Sequence, residues 1–372
     1  MALRHLVAGY DMGMAAGKFS GPHGHAAVPA HVAVYDGNKV TADDLRLEHE
    51  AGASKPLLIA LDPGGSRSYW VGRGAFDWGD AQDARDLERL TDVPEARAAF
   101  YATVTRYIHR FGPIDVPVCL VAGVPFDAVS GDKGEANKRA IETWLTGPHS
   151  WYVGKQRKPY SIHVSAARVT RQGKGALYYY ALDAAGKLIP ARVPELKGEV
   201  GVVSLGFRTA ELEIFRNYAP IPNRAGNAPV GVHRLVELAK RQERRHYKLG
   251  ELDDLLRSGS LDVSAAKSAW FNDLRALVEN VWDEAWPRLT RILVVGGGAY
   301  HAQEWLTRTF SGRCVVVEDP VMAISHGLRR IGLQVFGTEE VSAASTEMTP
   351  VLAPTADVTG TQAVAASDGT TR

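Results

Sequence analysis

The chain is poor in cysteine, has no excess of charge of either sign and contains no long apolar run, and each lack removes a class of protein. Only two cysteines, Cys119 and Cys314, occur among 372 residues, each inside a short apolar stretch and neither at zinc-ligand spacing from a second cysteine or a histidine. That excludes a disulfide framework and a zinc finger, and predicts two small core residues in a reducing compartment. Forty-three Lys and Arg stand against 42 Asp and Glu, a formal net charge of +1, so no global basic field draws the chain to nucleic acid or to an anionic membrane. Nowhere do about 18 apolar residues run together, and the apolar stretch near Met1 is too short for a secretory signal. The expectation is a cytoplasmic protein with no direct membrane insertion.

What is present is the balance of an ordinary globular chain, 45% hydrophobic and 23% charged, at a length that suits two or three domains. Short β-branched runs bounded by Gly, Asp or Pro predict strands near residues 6–10, 31–35, 57–61, 116–122, 162–169, 176–182, 200–205, 212–215, 292–295 and 314–317. Tyr178-Tyr179-Tyr180 falls in one of them, with its central ring expected opposite the outer two. Helical periodicity marks residues 94–111, 135–145, 230–246, 263–286, 302–310 and 321–336. Several strands are apolar at nearly every position, which predicts helices above and below a mixed sheet, an α/β fold.

Four other stretches have local readings. Residues 19–29, with Gly21, Pro22, Gly24, His23 and His25 close to His31, predict a loop whose histidines lack an acidic or helical framework for a metal. The cluster Lys240-Arg241-Gln242-Glu243-Arg244-Arg245-His246 predicts a solvated cationic helix end. Trp270, Trp282 and Trp286 fall at helical spacing and predict a packed face. Residues 338–372, rich in Ala, Ser and Thr and without an aromatic, predict a disordered tail.

A weak internal echo links the two halves. His5 to Gly13 is an apolar strand with Asp11 two residues before Gly13, followed by a turn and a second strand from Lys18; Gly201 to Thr209 repeats the pattern with Ser204 two residues before Gly206. In the first hairpin, Asp11-Met12-Gly13-Met14-Ala15-Ala16-Gly17-Lys18, glycine amides, a lysine and an acid that can hold hydrated Mg²⁺ suit a phosphate; equally, the stretch reads as a plain hairpin, since the spacing misses a P-loop and Phe19 follows the lysine. Gly296-Gly297-Gly298-Ala299 ends an apolar strand and precedes a helix, either a tight turn or a surface for a flat ligand, and the dinucleotide fingerprint fails at His301.

In chain order these pieces resemble the actin-like ATPase superfamily, closest to the bacterial and archaeal actin homologues of the ParM plasmid-segregation type, over about residues 5–335. Asp11, Gly13 and Lys18 match the first phosphate motif; Val121-Ala122-Gly123-Val124-Pro125 is similar to a strand end recurrent in that branch; Ser204, Gly206, Phe207, Arg208, Thr209 and Glu211 fall in the second phosphate motif; Gly296, Gly297, Gly298 and Ala299 fall in the adenosine motif. Asp319-Pro320-Val321 to Gly327 is similar to the closing helix that crosses back to the first domain.

The resemblance implies a duplicated, ribonuclease H-like two-domain fold around a nucleotide cleft. Domain I would span residues 1–170 with a smaller subdomain at 30–95, domain II residues 171–318 with a subdomain at 240–288, and the closing helix residues 319–337. It implies ATP or ADP with Mg²⁺, held through water by Asp11 and Ser204; catalysis by Gln172, Asp11 and Glu211, with Gln172 orienting the attacking water; head-to-tail filaments; and a DNA-binding adaptor as a partner. Ser204 stands where the family has Asp, and Thr209-Ala210-Glu211 where it has Thr-Thr-Asp, which implies slow or absent hydrolysis. The alternatives are a non-polymerising or hydrolysis-deficient scaffold, and a small-molecule kinase or phosphatase of the same fold, for which Asp127 is the one candidate base.

Overall fold

The computed structural model describes residues 5–36, 56–82, 90, 93–240, 252, 255–256, 259–310 and 312–337. The charge-rich residues 241–246, much of the expected subdomain at 30–95 and the expected tail at 338–372 lie outside them.

Two sheets organise these residues. The first contains β1 (Leu6–Met12), β2 (Ala16–Gly21), β3 (Gly24–Pro29), β4 (Val32–Val34), β5 (Leu57–Ala60), β6 (Ser68–Val71), β7 (Asp80–Gln82), β8 (Val118–Val124), β9 (Gly147–Val153) and β10 (Lys158–Arg171). Its order is β3-β2-β1-β8-β10-β9-β5-β6-β4-β7, with β1, β8 and β10 parallel and β1, β2 and β3 an antiparallel meander. The second holds β11 (Glu199–Leu205), β12 (Ala210–Arg216), β13 (Ala219–Pro220), β14 (Gly226–Ala228), β15 (Arg291–Val295) and β16 (Cys314–Val316). Again an antiparallel hairpin, β11 and β12, leads into parallel strands, here β15 and β16. The sequence echo is therefore a repeated topology. In register, Asp11 faces Lys18 across the first hairpin and Ser204 faces Glu211 across the second.

Among the described residues seven longer helices cover the sheets: α1 (Pro94–Phe111), α2 (Gly134–Leu145), α3 (Gln172–Ala181), α4 (Val232–Lys240), α5 (Ser264–Trp282), α6 (Ala299–Thr309) and α7 (Ala323–Phe336). Pro94 opens α1, where its missing N–H costs nothing and its fixed φ suits the first turn. The first core packs Phe100 and Tyr107 of α1 with Phe19, Leu120 and Trp151, all essentially inaccessible. A second core gathers Trp270 and Trp282 of α5, as their spacing predicts, with Leu212 and Phe310. Between the sheets, α3 and α7 fill the space with Ala176, Leu177, Ile324 and Leu328 against Val121, Phe215 and Leu293.

Two expectations fail here. Residues 176–182 form no strand: residues 176–181 lie in α3, Leu182 caps its end, and Tyr178, Tyr179 and Tyr180 spread around a helix to meet Tyr218, His326 with Arg330, and Glu195 with Arg192, respectively. The aromatic run favours a strand locally, but tertiary packing overrides that preference. A Cβ on Gly327 of α7 would lie 1.8 Å from the Gly175 carbonyl oxygen, so α3 and α7 touch backbone to backbone. Residues 19–29 are likewise no loop. They form β2, the two-residue turn Pro22-His23, and β3, because Phe19 and Val28 bury one face of the hairpin while its other side meets α7.

Cys119 is buried and Cys314 partly buried, and burial pushes the Cys314 thiol up to about 11. Both are free, and no helix among the described residues is long and apolar enough to cross a membrane.

Candidate functional site

Three turns meet at one cavity. The β1–β2 turn, the β11–β12 turn and the glycines after β15 contribute Gly13, Gly206 and Gly296 with Gly297 to its lining, although more than 190 positions separate the first two. The cavity has a volume of about 540 Å³, enough for a small-molecule ligand of nucleotide size.

At its floor, Asp11 is 1% exposed and held from both sides. Lys18 Nζ donates to Asp11 Oδ2 at 2.8 Å from the neighbouring strand, and Gln172 Nε2, at the first turn of α3, donates to Oδ1 at 2.6 Å. Buried without these donors, a carboxylate would cost several kcal/mol. The first hairpin and the start of α3 thus form a charge-balanced unit whose lysine stays accessible, at 14% exposure, from the cavity.

Another part of the site carries buried acids. Ser204 and Glu211 face each other on β11 and β12, and Glu213 follows two residues on, on the same face. Burial, then the charges of Glu213 and Asp127, push the Glu211 carboxyl up to about 8, although the Phe126 amide donates to it. Its Oε2 is buried with no hydrogen-bond partner. Glu213 is also raised by burial, and Arg171 offsets part of that through an ion pair at 3.4 Å. A buried carboxyl oxygen without a partner on Glu211, the Ser204 hydroxyl and the Asp11 carboxylate all line the cavity, a set of hard oxygens that fits a hydrated Mg²⁺.

Sequence reasoning places Gly13, Lys18, Ser204, Gly206, Phe207, Arg208, Thr209, Glu211, Gly296, Gly297, Asp11 and Gln172 at one site, and all twelve line the cavity. Gly298 and Ala299 do not. Gly298 donates its amide to the Leu205 carbonyl and leaves no room for a Cβ against Leu205, and Ala299 is fully buried. They fasten the start of α6 behind the β11 strand end. Gly296 carries φ +90, and a Cβ there would sit 2.3 Å from the Leu205 oxygen; Gly297 has open space in front of it and presents bare backbone to the cavity. The β11–β12 turn is anchored by its carbonyls: Gly206, Phe207 and Arg208 accept from the amides of Val232, His233 and Gly231 at the start of α4.

Four lining residues escaped sequence reasoning. Tyr300 and His301 stand in the first turn of α6 and extend the cavity beyond Gly297, the Tyr300 ring 59% exposed. Their place directly after a glycine run that opens a helix is a readable signal. Val232 and Leu256 supply apolar wall with no signal beyond hydrophobicity. Pro125, Val321 and Ile324 belong to the strand-end and closing-helix motifs, so those motifs also reach the site.

The sequence matches no protein-family model and no curated protein. Solved structures do match. A ParM protein, psk41 ParM in its apo form, superposes with a TM-score of 0.68 at 13% identity over 90% of this chain and 98% of its own. Ta0583, an archaeal actin homolog solved in complex with ADP, gives 0.64 at 16% identity over 87% and 98%. A subunit of a 15-stranded ParM filament from Clostridium botulinum gives 0.64 at 15% identity over 89% and 100%. The chain has the two-domain actin-like fold of the ParM type.

Proposed function

We propose that this protein binds ATP and Mg²⁺ in the cleft, hydrolyses the nucleotide slowly and assembles into head-to-tail filaments. The observation that carries the proposal is the convergence of Gly13, Gly206 and Gly297 with Lys18, Asp11 and Glu211 on one cavity. The ADP complex of Ta0583 and the Clostridium botulinum ParM filament support it by likeness of fold.

In this reading the phosphates lie between the two hairpins. Backbone amides at Gly13 and in the Gly206 turn take the phosphate oxygens, Lys18 exchanges part of its bond to Asp11 for the β-phosphate, and the base lies on Gly297 beside Tyr300. Asp11 and Ser204 would hold the Mg²⁺ through its water shell, with Glu211 Oε2 as a further oxygen. Bound there, Mg²⁺ neutralises phosphate charge. Gln172 reaches Asp11 across the cleft floor and orients the attacking water. Positioning supplies most of the rate in such reactions. A hydroxyl at Ser204 in place of a carboxylate removes one acceptor from the Mg²⁺ water shell and makes the hydrolysis slow.

The two domains would meet near residue 170, with residues 319–337 returning to the first. A change in the angle between them on phosphate release would alter a subunit contact that, being head-to-tail, need not close on itself. A role in moving DNA through an adaptor, in the cytoplasm, goes with this reading. Assembly is tested by pelleting and light scattering with and without ATP and Mg²⁺: the expected result is ATP-dependent polymer, and a monomer at high concentration with ATP rejects it. Substituting Gln172→Ala should cut phosphate release at least ten-fold while sparing nucleotide affinity.

A second reading, a scaffold that binds nucleotide without turning it over, is favoured by Ser204 and Ala210, where a carboxylate and a hydroxyl are missing from the second phosphate motif. It predicts a rise in melting temperature with ATP by binding linkage and no phosphate release.

A further inference from the structure

Away from the cleft, the hairpin residues expected in a loop stand in a different setting. Ser20 on β2 and His25 on β3 are directly opposite each other in register, so their side chains share the face that α7 covers. From α7, His326 Nδ1 lies 2.8 Å from Ser20 Oγ, and its ring meets that of His25 edge to face at 5.1 Å between centroids. Asp319 arrives from the segment that leaves β16 of the second sheet, and its Oδ1 accepts from the Met322 amide at the start of α7. One ligand atom each from His25, Asp319 and His326 lies within 4.8 Å of the other two, and all three residues are partly buried, neither sealed off nor fully solvated. It is the single such group of three His, Cys, Asp or Glu among the described residues.

We propose that His25, Asp319 and His326 form a binding site for a divalent transition-metal ion of the Zn²⁺ class, separate from the nucleotide cleft. Two imidazoles and a carboxylate are a borderline-soft donor set that zinc accepts, with water in the fourth position, and that Mg²⁺ disfavours. Each ligand has a partner that orients it. The Ser20 hydroxyl can take the Nδ1 proton of His326, which leaves Nε2 bare for a metal, and the Met322 amide occupies one Asp319 oxygen and leaves the other. Zinc bonds of about 2.0–2.1 Å place tetrahedral ligand atoms about 3.3–3.4 Å apart, so the set contracts by up to about 1.5 Å on binding, within reach of side-chain rotation at His25 and Asp319. The ion would tie the β2–β3 hairpin of the first sheet to the segment crossing from the second. It would therefore stiffen the connection between the sheets without touching the phosphates.

The test is calorimetric titration of ZnCl₂ into the tag-free full chain without nucleotide and with millimolar Mg²⁺ present, with Co²⁺ absorption in the visible as a second readout. One Zn²⁺ per chain, a raised melting temperature, and a loss of affinity of ten-fold or more in both His25→Gln and Asp319→Asn are expected. His25 lies on a partly exposed hairpin strand, so His25→Gln should keep the wild-type melting temperature in EDTA, which separates a lost ligand from a lost fold. Absence of saturable Zn²⁺ binding, or equal affinity in the wild type and both variants, overturns the proposal.

Discussion

At the scale of single residues, the site is governed by how each carboxylate is neutralised. Asp11 has a lysine and an amide; Glu213 has Arg171; Glu211 has a backbone amide on one side, a bare Oε2 on the other, and a carboxyl pushed up to about 8 by burial. The last case has a thermodynamic consequence. In the unfolded chain Glu211 ionises near 4.5, whereas in the folded protein it ionises at about 8, so between those values the folded state binds more protons and stability falls as pH rises. At about 1.4 kcal/mol per pKa unit the loss is on the order of a few kcal/mol. Glu211→Gln removes it: wild type and variant should be equally stable below pH 4.5, and the variant should gain progressively up to pH 8, as read by urea denaturation across pH. Equal slopes in the two proteins would show that Glu211 is solvated. Lys18→Ala removes the cation that bonds Asp11 from the neighbouring strand. Titration calorimetry should show ADP affinity weakened about 10-fold to 100-fold, the 1.4–2.8 kcal/mol of a charge-assisted contact. An unchanged affinity would place the phosphates elsewhere. The acid, the lysine and the glutamine are legible in the sequence because their residue types are chemically marked and stand next to glycines. Tyr300 is an ordinary aromatic until the cavity gives it a direction.

At the scale of elements, helix α7 is the member that both halves share. Its Gly327 lies against Gly175 of α3, and Gly9 of β1 receives it so closely that a Cβ there would sit 2.1 Å from the Ser325 oxygen. Leu328 fills the groove between them, fully buried against Gly123 and Gly175. Gly327→Val cannot be accommodated by a rotamer change, since the obstacle is backbone. It should destabilise the protein by about 3 kcal/mol or more, as overpacking of a rigid contact does, and lower the melting temperature by several degrees. A melting temperature within a degree of wild type would mean that α3 and α7 are apart in solution. Most helices and strands are legible because their apolar periodicities are long, as α1 and α5 illustrate. The failures share a cause: α3 and the β2–β3 hairpin owe their state to what α7 presses against them, and no window of local sequence contains α7.

At the scale of the whole molecule, two topologically similar sheets share one cleft, and a ligand bridging them should alter how they are held. Small-angle scattering with saturating ADP and Mg²⁺ is expected to give a smaller radius of gyration than the apo protein at concentrations where both are monomeric; identical curves would mean that the ligand does not draw the two walls together. The sequence by itself determined the α/β class, the repeated hairpin with its glycine, and the residue types a phosphate needs, because covalent order suffices to set local conformation and chemical kind. Only the tertiary structure decided which of these groups share a site. It drew Gly297 to the cavity and left Gly298 behind it, set Gln172 on Asp11 across 161 positions, and paired His25 with His326. Contacts between groups so far apart in the chain are settled by packing of buried surfaces, a cooperative property of the assembled core that no short stretch of polypeptide possesses.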